Sequence, residues 1–477
     1  MESTVEKTVV RLGVDVACRA AHQASLADAT GALVFSGRRF HTRPDELERL
    51  WAQLPENAEV MVVMEPTRNA WVPLAAWFRA RGATVVLVPP EQSADLRDYY
   101  NKHTKTDRLD SRVLARLPLL HPDGELVEVD ELGPAEPLKR AVRRRSSLVE
   151  RRTGCFQRLD ALLELLGPAW ADVLGTGDYG KAALAVLERY ADPRALKRTG
   201  RNRLTAMLIR HSRGAFREAK ADQLLAAADQ TLQLWATGGL DFAALAEDIA
   251  GEARLARQLS EEIATLEERI AALYNDADPA GIVLSAPGLG VTLAAGILGR
   301  TGDLNRFRNL AGLRAFTGLV PKIDQSGNTH RHGPPTKKGD PGLREALYLA
   351  AEQARKVDPT LAARYHRLVV EEGKHHVSAV CTLAPIVMTR IAACWRNGER
   401  YVLRDIDGRQ ITEAEGRTIC RERYTVTAAD RQRRRRPTTA KQHKGRTGRR
   451  DQESTEAAPA ANPSHPKTTP HKELVHA

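Results

Sequence analysis

The chain has little cysteine and uses none of it in a pattern. Its five cysteines (Cys18, Cys155, Cys381, Cys394 and Cys420) are odd in number and scattered over 477 residues, with no Cys-x-x-Cys pair. Neither a zinc site nor a disulfide framework is therefore indicated, and a reducing cytoplasm is the expected compartment. Long apolar runs are missing too. None approaches 18 residues, so no membrane span is expected. The first residues, Met1 to Arg11, lack the apolar core and small-residue cleavage site of a secretory signal.

What is present reads as globular: 42% hydrophobic and 28% charged residues, long enough for two or three cores. The net charge of +12 is unevenly spread. Residues 431–477 hold 12 Lys/Arg against 4 Asp/Glu, a surplus of 8, which leaves the other 430 residues 60 bases against 56 acids, a surplus of only 4. The high isoelectric point thus belongs mainly to the tail and says little about the body. From Arg431 to Arg450 there are ten bases and no acid, followed by a stretch rich in Ala, Pro, Thr and His. Residues 428–477 are expected to be a disordered basic tail attracted to phosphates.

Residues 8–130 alternate strand and helix patterns. Val9–Val16, His22–Asp28 and Ala32–Phe40 read as strands, with a hairpin turn at Thr30-Gly31. Glu59–Met64 is a nearly continuous apolar run, as a buried central strand would be. Asn69–Arg81 has helical spacing, and Thr84–Val88 is another buried strand. Three strands, then strand, helix, strand, helix is the order of an α/β ribonuclease H-like fold. Residues 135–275 read as helical. Leu148, Arg152, Cys155, Leu159, Leu162 and Leu166, and later Leu259, Ile263, Leu266, Ile270 and Leu273, keep 4-3 spacing. Such helices either pack as a coiled-coil arm, within one chain or between subunits, or form an ordinary helical spacer. Residues 280–400 form a further, mainly α unit.

Four acids stand out. Asp15 sits in mid-strand between Val14 and Val16, where an unpaired carboxylate is costly. Glu65 follows the apolar run, at the carboxyl end of a central strand where open α/β sheets bind ligands. Asp107 and Asp110 are three apart, on one helical face. Four converging carboxylates repel unless a divalent cation lies among them, and oxygen-only donors favour Mg²⁺ or Mn²⁺. Singly, each acid also fits a structural or solvated position.

Two later segments suit phosphates. Leu284 to Ile297, with Gly288 and Gly290, resembles a helix-hairpin-helix, whose glycine turn offers backbone N–H groups to a DNA phosphate; a plain glycine link fits as well. Gln325-Ser326-Gly327-Asn328 precedes His330, Arg331, His332, Lys337, Lys338 and Arg344, an accessible serine among cations. An unassisted hydroxyl is a poor nucleophile and needs a base or a metal.

Together these pieces resemble the DEDD insertion-sequence transposases of the IS one-ten group, relatives of the Piv DNA invertases. The resemblance rests on Gly13-Val14-Asp15, Met64-Glu65-Pro66-Thr67, Lys105-Thr106-Asp107-Arg108-Leu109-Asp110-Ser111 and Pro287-Gly288-Leu289-Gly290, then on Gly318-Leu319-Val320-Pro321, Gln325-Ser326-Gly327 and Lys337-Lys338-Gly339-Asp340 with Leu343-Arg344. It implies a RuvC-like domain over 8–130 with Asp15, Glu65, Asp107 and Asp110 as Mg²⁺ ligands, and a transposase domain over 280–400 with Ser326 as nucleophile. It also implies donor and target DNA, a bridge RNA that pairs with both, a homodimer or homotetramer, and residence at the bacterial nucleoid. Ser111 stands where the family usually has Ala, and Pro334-Pro335 interrupts the basic stretch after Ser326. The rival readings are a RuvC-like junction nuclease that uses water, an actin-like ATPase, and a non-catalytic nucleic-acid-binding protein. Val16-Ala17-Cys18-Arg19 lacks the phosphate-gripping residues that the ATPase needs.

Overall fold

The computed structural model describes residues 8–88, 93, 106–120, 127–128, 135–307, 309–326, 329–427 and 429–430; for 127, 128, 323–326, 329–332 and 334 it describes the backbone alone. The tail expected over 428–477 lies, apart from Ala429 and Asp430, outside the described residues.

The N-terminal strands form where the apolar alternation placed them: β1 Val9–Asp15, β2 His22–Ala27, β3 Leu33–Phe40, β4 Glu59–Met64 and β5 Thr84–Leu87. With a two-residue edge strand, β6 (Val127–Glu128), they form a mixed sheet in the order β3-β2-β1-β4-β5-β6. β1 pairs antiparallel with β2 and parallel with β4, and β4 pairs parallel with β5. This arrangement is consistent with the ribonuclease H-like expectation.

Because successive strand residues face opposite sides, the sheet has two distinct faces. On one, Val10, Leu12, Val14, Val62 and Met64 pack with Leu47 and Leu50 of α1 (Pro44–Trp51) and with Leu74 and Phe78 of α2 (Trp71–Arg79). The sequence reading missed α1, an eight-residue helix entered through Pro44. On the other face, Val63 packs with Leu114 of α3 (Asp107–Arg116). One correction concerns β1, which ends at Asp15, so that residue closes the strand where mid-strand was expected.

The 4-3 spacing is realised as two long helices, α4 (Ala135–Glu164) and α10 (Phe242–Ala277). They pack within one chain. Arg144 meets Glu262 while Arg158 meets Glu252, so rising numbers on one helix match falling numbers on the other and the pair is antiparallel. Arg152, the poor core residue in the pattern, lies half-buried with its guanidinium over the Phe156 ring. Between these helices the chain folds into α5 (Pro168–Leu174), α6 (Lys181–Tyr190), α7 (Pro193–Thr199), α8 (Arg201–Ser212) and α9 (Glu218–Leu234). Their core surrounds fully buried Trp170, whose indole N–H donates to Thr231 at 2.9 Å.

The other end of the arm joins a separate core. Leu138 and Val142 of α4 and Leu266, Ile270 and Tyr274 of α10 pack with α11 (Val291–Thr301), α13 (Pro341–Ala354) and α15 (His376–Asn397). Two helices complete this sequence, α12 (Leu310–Phe316) and α14 (Pro359–His366). By length and composition α15 is apolar enough to cross a membrane; here Ala379, Leu383, Val387 and Ile391 are buried in the core, and Arg390 pairs with Asp358 at 2.8 Å. Folded structure continues past residue 400 into α16 (Glu413–Arg423), started by a Thr412–Glu415 capping box.

Candidate active site

The parallel register pairs Val14 with Met64, so Asp15 and Glu65 each come next, at the carboxyl ends of adjacent strands. Such strands stand about 4.8 Å apart. Asp15 shares the parity of Gly13, and Glu65 follows Met61 and Val63, so both acids fall on the α3 side of the sheet.

The approach of α3 depends on Gly13. A Cβ there would lie 2.2 Å from the Ser111 carbonyl oxygen and 2.2 Å from the Ala115 nitrogen, so the helix rests directly on strand backbone. Ser111, fully buried, is hydrogen-bonded to the Ser25 hydroxyl at 2.8 Å, which satisfies its own hydroxyl. Further along, Arg116 donates to the Gly31 carbonyl at the β2–β3 turn. Since Ser111 lies level with Gly13 and Arg116 lies at that turn, α3 runs antiparallel to β1. Its first turn points toward the sheet edge where β1 and β4 end.

That first turn carries Asp107, exposed, and Asp110, half-buried. Thr106 caps the helix by accepting from the Leu109 N–H, and carboxylates are favoured at a helix N-terminus. Glu65 accepts from buried Ser93, a partner that no sequence signal announced. The four acids are thus brought to one edge and one face of the sheet. They are not closed into a cluster: among the described residues no three His, Cys, Asp or Glu side chains lie close enough to hold a metal ion. As an all-carboxylate donor set, they suit a hard divalent cation by chemistry.

Ser326 ends β7 (Pro321–Ser326), which pairs antiparallel with β8 (Thr329–Pro335), Ser326 opposite Thr329. The accessible serine and the basic stretch after it therefore belong to a hairpin. The overlooked signal was Gly327-Asn328, a two-residue turn pair. Its Pro334-Pro335 step falls at the end of β8 and leaves the pairing before it intact. The hairpin base is locked by glycines. A Cβ on Gly318 would meet the Lys338 carbonyl oxygen at 2.0 Å, and one on Gly339 the Phe316 carbonyl oxygen at 2.5 Å.

Of the residues expected at phosphates, Lys337 and Lys338 are exposed beside this base, Lys337 with φ +55°. Arg344 is half-buried and donates to the Gly339 carbonyl at 3.0 Å. The side chain of Arg331 is outside the described residues. The helix-hairpin-helix expectation is met in one half only: the chain makes turns over 281–288 and then enters α11. Gly288 (φ +76°) packs against the backbone of Gln353, while Gly290 stands open at the start of α11.

Sequence reasoning also missed Asp340, the N-cap of α13. It accepts from Arg300 at 2.6 Å and lies 3.6 Å from Arg143, while Arg300 donates to Ser146 of α4 at 2.8 Å. Burial alone would raise the Asp340 carboxyl, but the Leu343 N–H and the Arg300 and Arg143 guanidinium groups hold it below the ordinary carboxylate range. The serine hairpin is in this way tied to the long arm.

Residues 12–168 match the DEDD transposase domain of the IS110 group, and residues 280–366 match the transposase IS116/IS110/IS902 family. The chain belongs to the IS116/IS110/IS902 family of transposases. This transposase is 28% identical to the 43.6 kDa protein of insertion element IS110 from Streptomyces coelicolor, over 83% of this chain and 96% of the relative. The 44.8 kDa protein of insertion element IS116 from Streptomyces clavuligerus is 29% identical, over 78% and 91%. The 42 kDa protein of insertion element IS900 from Mycobacterium paratuberculosis is 28% identical, over 69% and 81%. Family membership implies DNA binding, DNA transposition and use of a divalent metal.

Proposed function

We propose that this transposase cuts and rejoins DNA through Ser326, with Asp15, Glu65, Asp107 and Asp110 holding Mg²⁺ or Mn²⁺. The observation that carries the reading is the Val14–Met64 register, which sets Asp15 and Glu65 side by side at the edge approached by the first turn of α3. When bound, the cation would supply charge to the reacting phosphate and lower the cost of ionising a hydroxyl.

The Ser326 hydroxyl attacks a phosphodiester: its oxygen–phosphorus bond forms as the bond to the 3′ oxygen breaks. The serine proton leaves to solvent, and the 3′ oxygen takes one up. One phosphodiester is exchanged for another, so the reverse attack by a 3′-hydroxyl reseals DNA without ATP. Lys337, Lys338, Arg331 of the hairpin and the open Gly290 helix start would hold phosphates; Gly288 and Arg344 would shape that surface through their contacts with Gln353 and Gly339. Following the family resemblance, donor and target DNA are brought together by a bridge RNA on a dimer or tetramer. The domains are read as 8–130 for the acids, 135–275 for the arm and 280–400 for the serine.

The deciding experiment traps reactions in denaturant and maps DNA-linked peptide by mass spectrometry. Ser326 should carry the adduct, and Ser326→Ala should bind DNA yet yield none. Asp15→Ala, Glu65→Ala, Asp107→Ala and Asp110→Ala should each slow recombination at least about a hundredfold, several kcal/mol of lost transition-state stabilisation. Cleavage that persists in Ser326→Ala would point to the water-using junction nuclease. Full activity in excess EDTA would remove the metal.

A further inference from the structure

One short stretch of the folded body carries a large surplus of positive charge. From Pro193 to Lys220 there are nine Lys/Arg and a single acid, Glu218. Residues 1–430 hold 60 bases and 56 acids, so without this stretch they hold 51 bases and 55 acids, a net negative body. The stretch forms α7, α8 and the start of α9, between the two family-matched segments.

Several basic side chains of the long arm are answered. On α4, Arg144, Arg145 and Arg158 each meet a glutamate of α10. Here Arg194, Lys197 and Arg201 pair with Asp192, Asp229 and Asp222. Arg198, Arg203, Arg210 and Arg213 are exposed and make no ion pair among the described residues.

Arg203 and Arg210 are two turns apart on the solvent side of α8, whose Leu204 and Leu208 are buried. The helix then stops in a left-handed step, Arg213 at φ +53° and Gly214 at φ +85°, which presents Arg213 and the exposed ring of Phe216 before α9 begins. Clustered, unanswered like charges repel one another and cost stability unless an anionic partner arrives.

We propose that this face binds the sugar-phosphate backbone of duplex DNA flanking the reacting ends. DNA is the partner that family membership supplies, and the face offers arginines, suited to phosphate oxygens. It also stands apart from the serine hairpin. Arg143 of α4 pairs with Asp340 beside that hairpin, whereas Leu159 lies in the core under α8. The helix between them is roughly 24 Å long at 1.5 Å per residue. The face therefore grips flanking DNA and does not touch the phosphate that reacts. The proposal is independent of which residues perform the chemistry.

The test uses the full chain with Arg198→Gln, Arg203→Gln, Arg210→Gln and Arg213→Gln combined. A matched control removes four other exposed arginines, R404Q/R409Q/R417Q/R421Q. Binding to a DNA duplex of about 40 base pairs, and to an RNA duplex of the same sequence, is measured across a salt series. Far-UV circular dichroism and melting verify the fold. Four lost phosphate contacts should lower the slope of log affinity against log salt by up to about 3.6. DNA affinity near physiological salt should fall at least about tenfold in the face variant and less than about twofold in the control, with the rate at saturating DNA unchanged. Equal losses in both variants would make the effect one of bulk charge and overturn the proposal. An unchanged slope would make the face a solvated surface, and a loss confined to the RNA duplex would assign it to RNA.

Discussion

Gly13 is the residue on which the geometry of the candidate site turns, because it has no side chain to hold α3 away from β1. Gly13→Ala would drive its Cβ against backbone atoms of Ser111 and Ala115 that cannot rotate away. Overpacking of this kind costs about 1–3 kcal/mol or more. The urea midpoint should drop accordingly, and recombination should fall further than stability alone explains, since Asp107 and Asp110 ride on the displaced helix. Activity at the wild-type level in a folded Gly13→Ala protein would show that the position of α3 does not matter. His22 offers a second test. Buried at the start of β2, its Nδ1 accepts from the Ala17 N–H, which leaves Nε2–H to donate to Thr42. Burial, reinforced by His41 and opposed by Glu46, lowers its pKa below the ordinary 6.5. The unfolded chain therefore binds a proton at higher pH than the folded one. The stability contributed by neutral His22 is complete above about pH 6.5 and is lost as pH falls from there through the lower folded value. Unfolding free energy measured between pH 7.5 and 5 should decline more steeply in the wild type than in His22→Gln.

At the scale of elements, the two long helices act as a rod whose ends sit in different cores. Leu159 and Ile249 belong to the core around Trp170, while Ile270 and Tyr274 belong to the C-terminal core. The rod's mid-length ion pairs are exposed and worth little, so its stability comes from the buried seam. Ile270→Ala should cost about 2–5 kcal/mol in urea unfolding, whereas Leu255→Ala, on the open side of the same helix, should stay within about 0.5 kcal/mol. Similar losses at both positions would mean that the helix is buried on both sides, as in an interface with another subunit.

For the whole molecule, charge is distributed against the grain of the net figure. A nearly neutral body carries a basic face on α7 and α8, and a tail holds +8 of the +12. Truncation after Asp430 should weaken DNA affinity several-fold near physiological salt and flatten its salt dependence. Strand exchange at low salt should persist. An unchanged slope in the truncated protein would show that the tail does not touch nucleic acid.

The amino-acid sequence by itself determined five of the six strands of the sheet, because apolar patterning is a local signal. It likewise determined the two long helices, through sustained 4-3 spacing. It also marked the four acids, since carboxylates beside buried strands are chemically conspicuous. It did not reveal the serine hairpin, whose polar strands lack that alternation, and it gave the helical character of residues 135–275 without the way α5 to α9 pack. Only the tertiary structure decided that the arm closes within one chain, because heptads do not say which partner they meet. The same holds for Ser93 on Glu65, Ser25 on Ser111 and Arg300 on Asp340. These contacts span 28, 86 and 40 residues, and a hydrogen bond between distant residues leaves no trace in local composition. The placing of the acids at one edge of the sheet was likewise a tertiary matter, set by a strand register and by a glycine small enough to let a helix lie on the sheet.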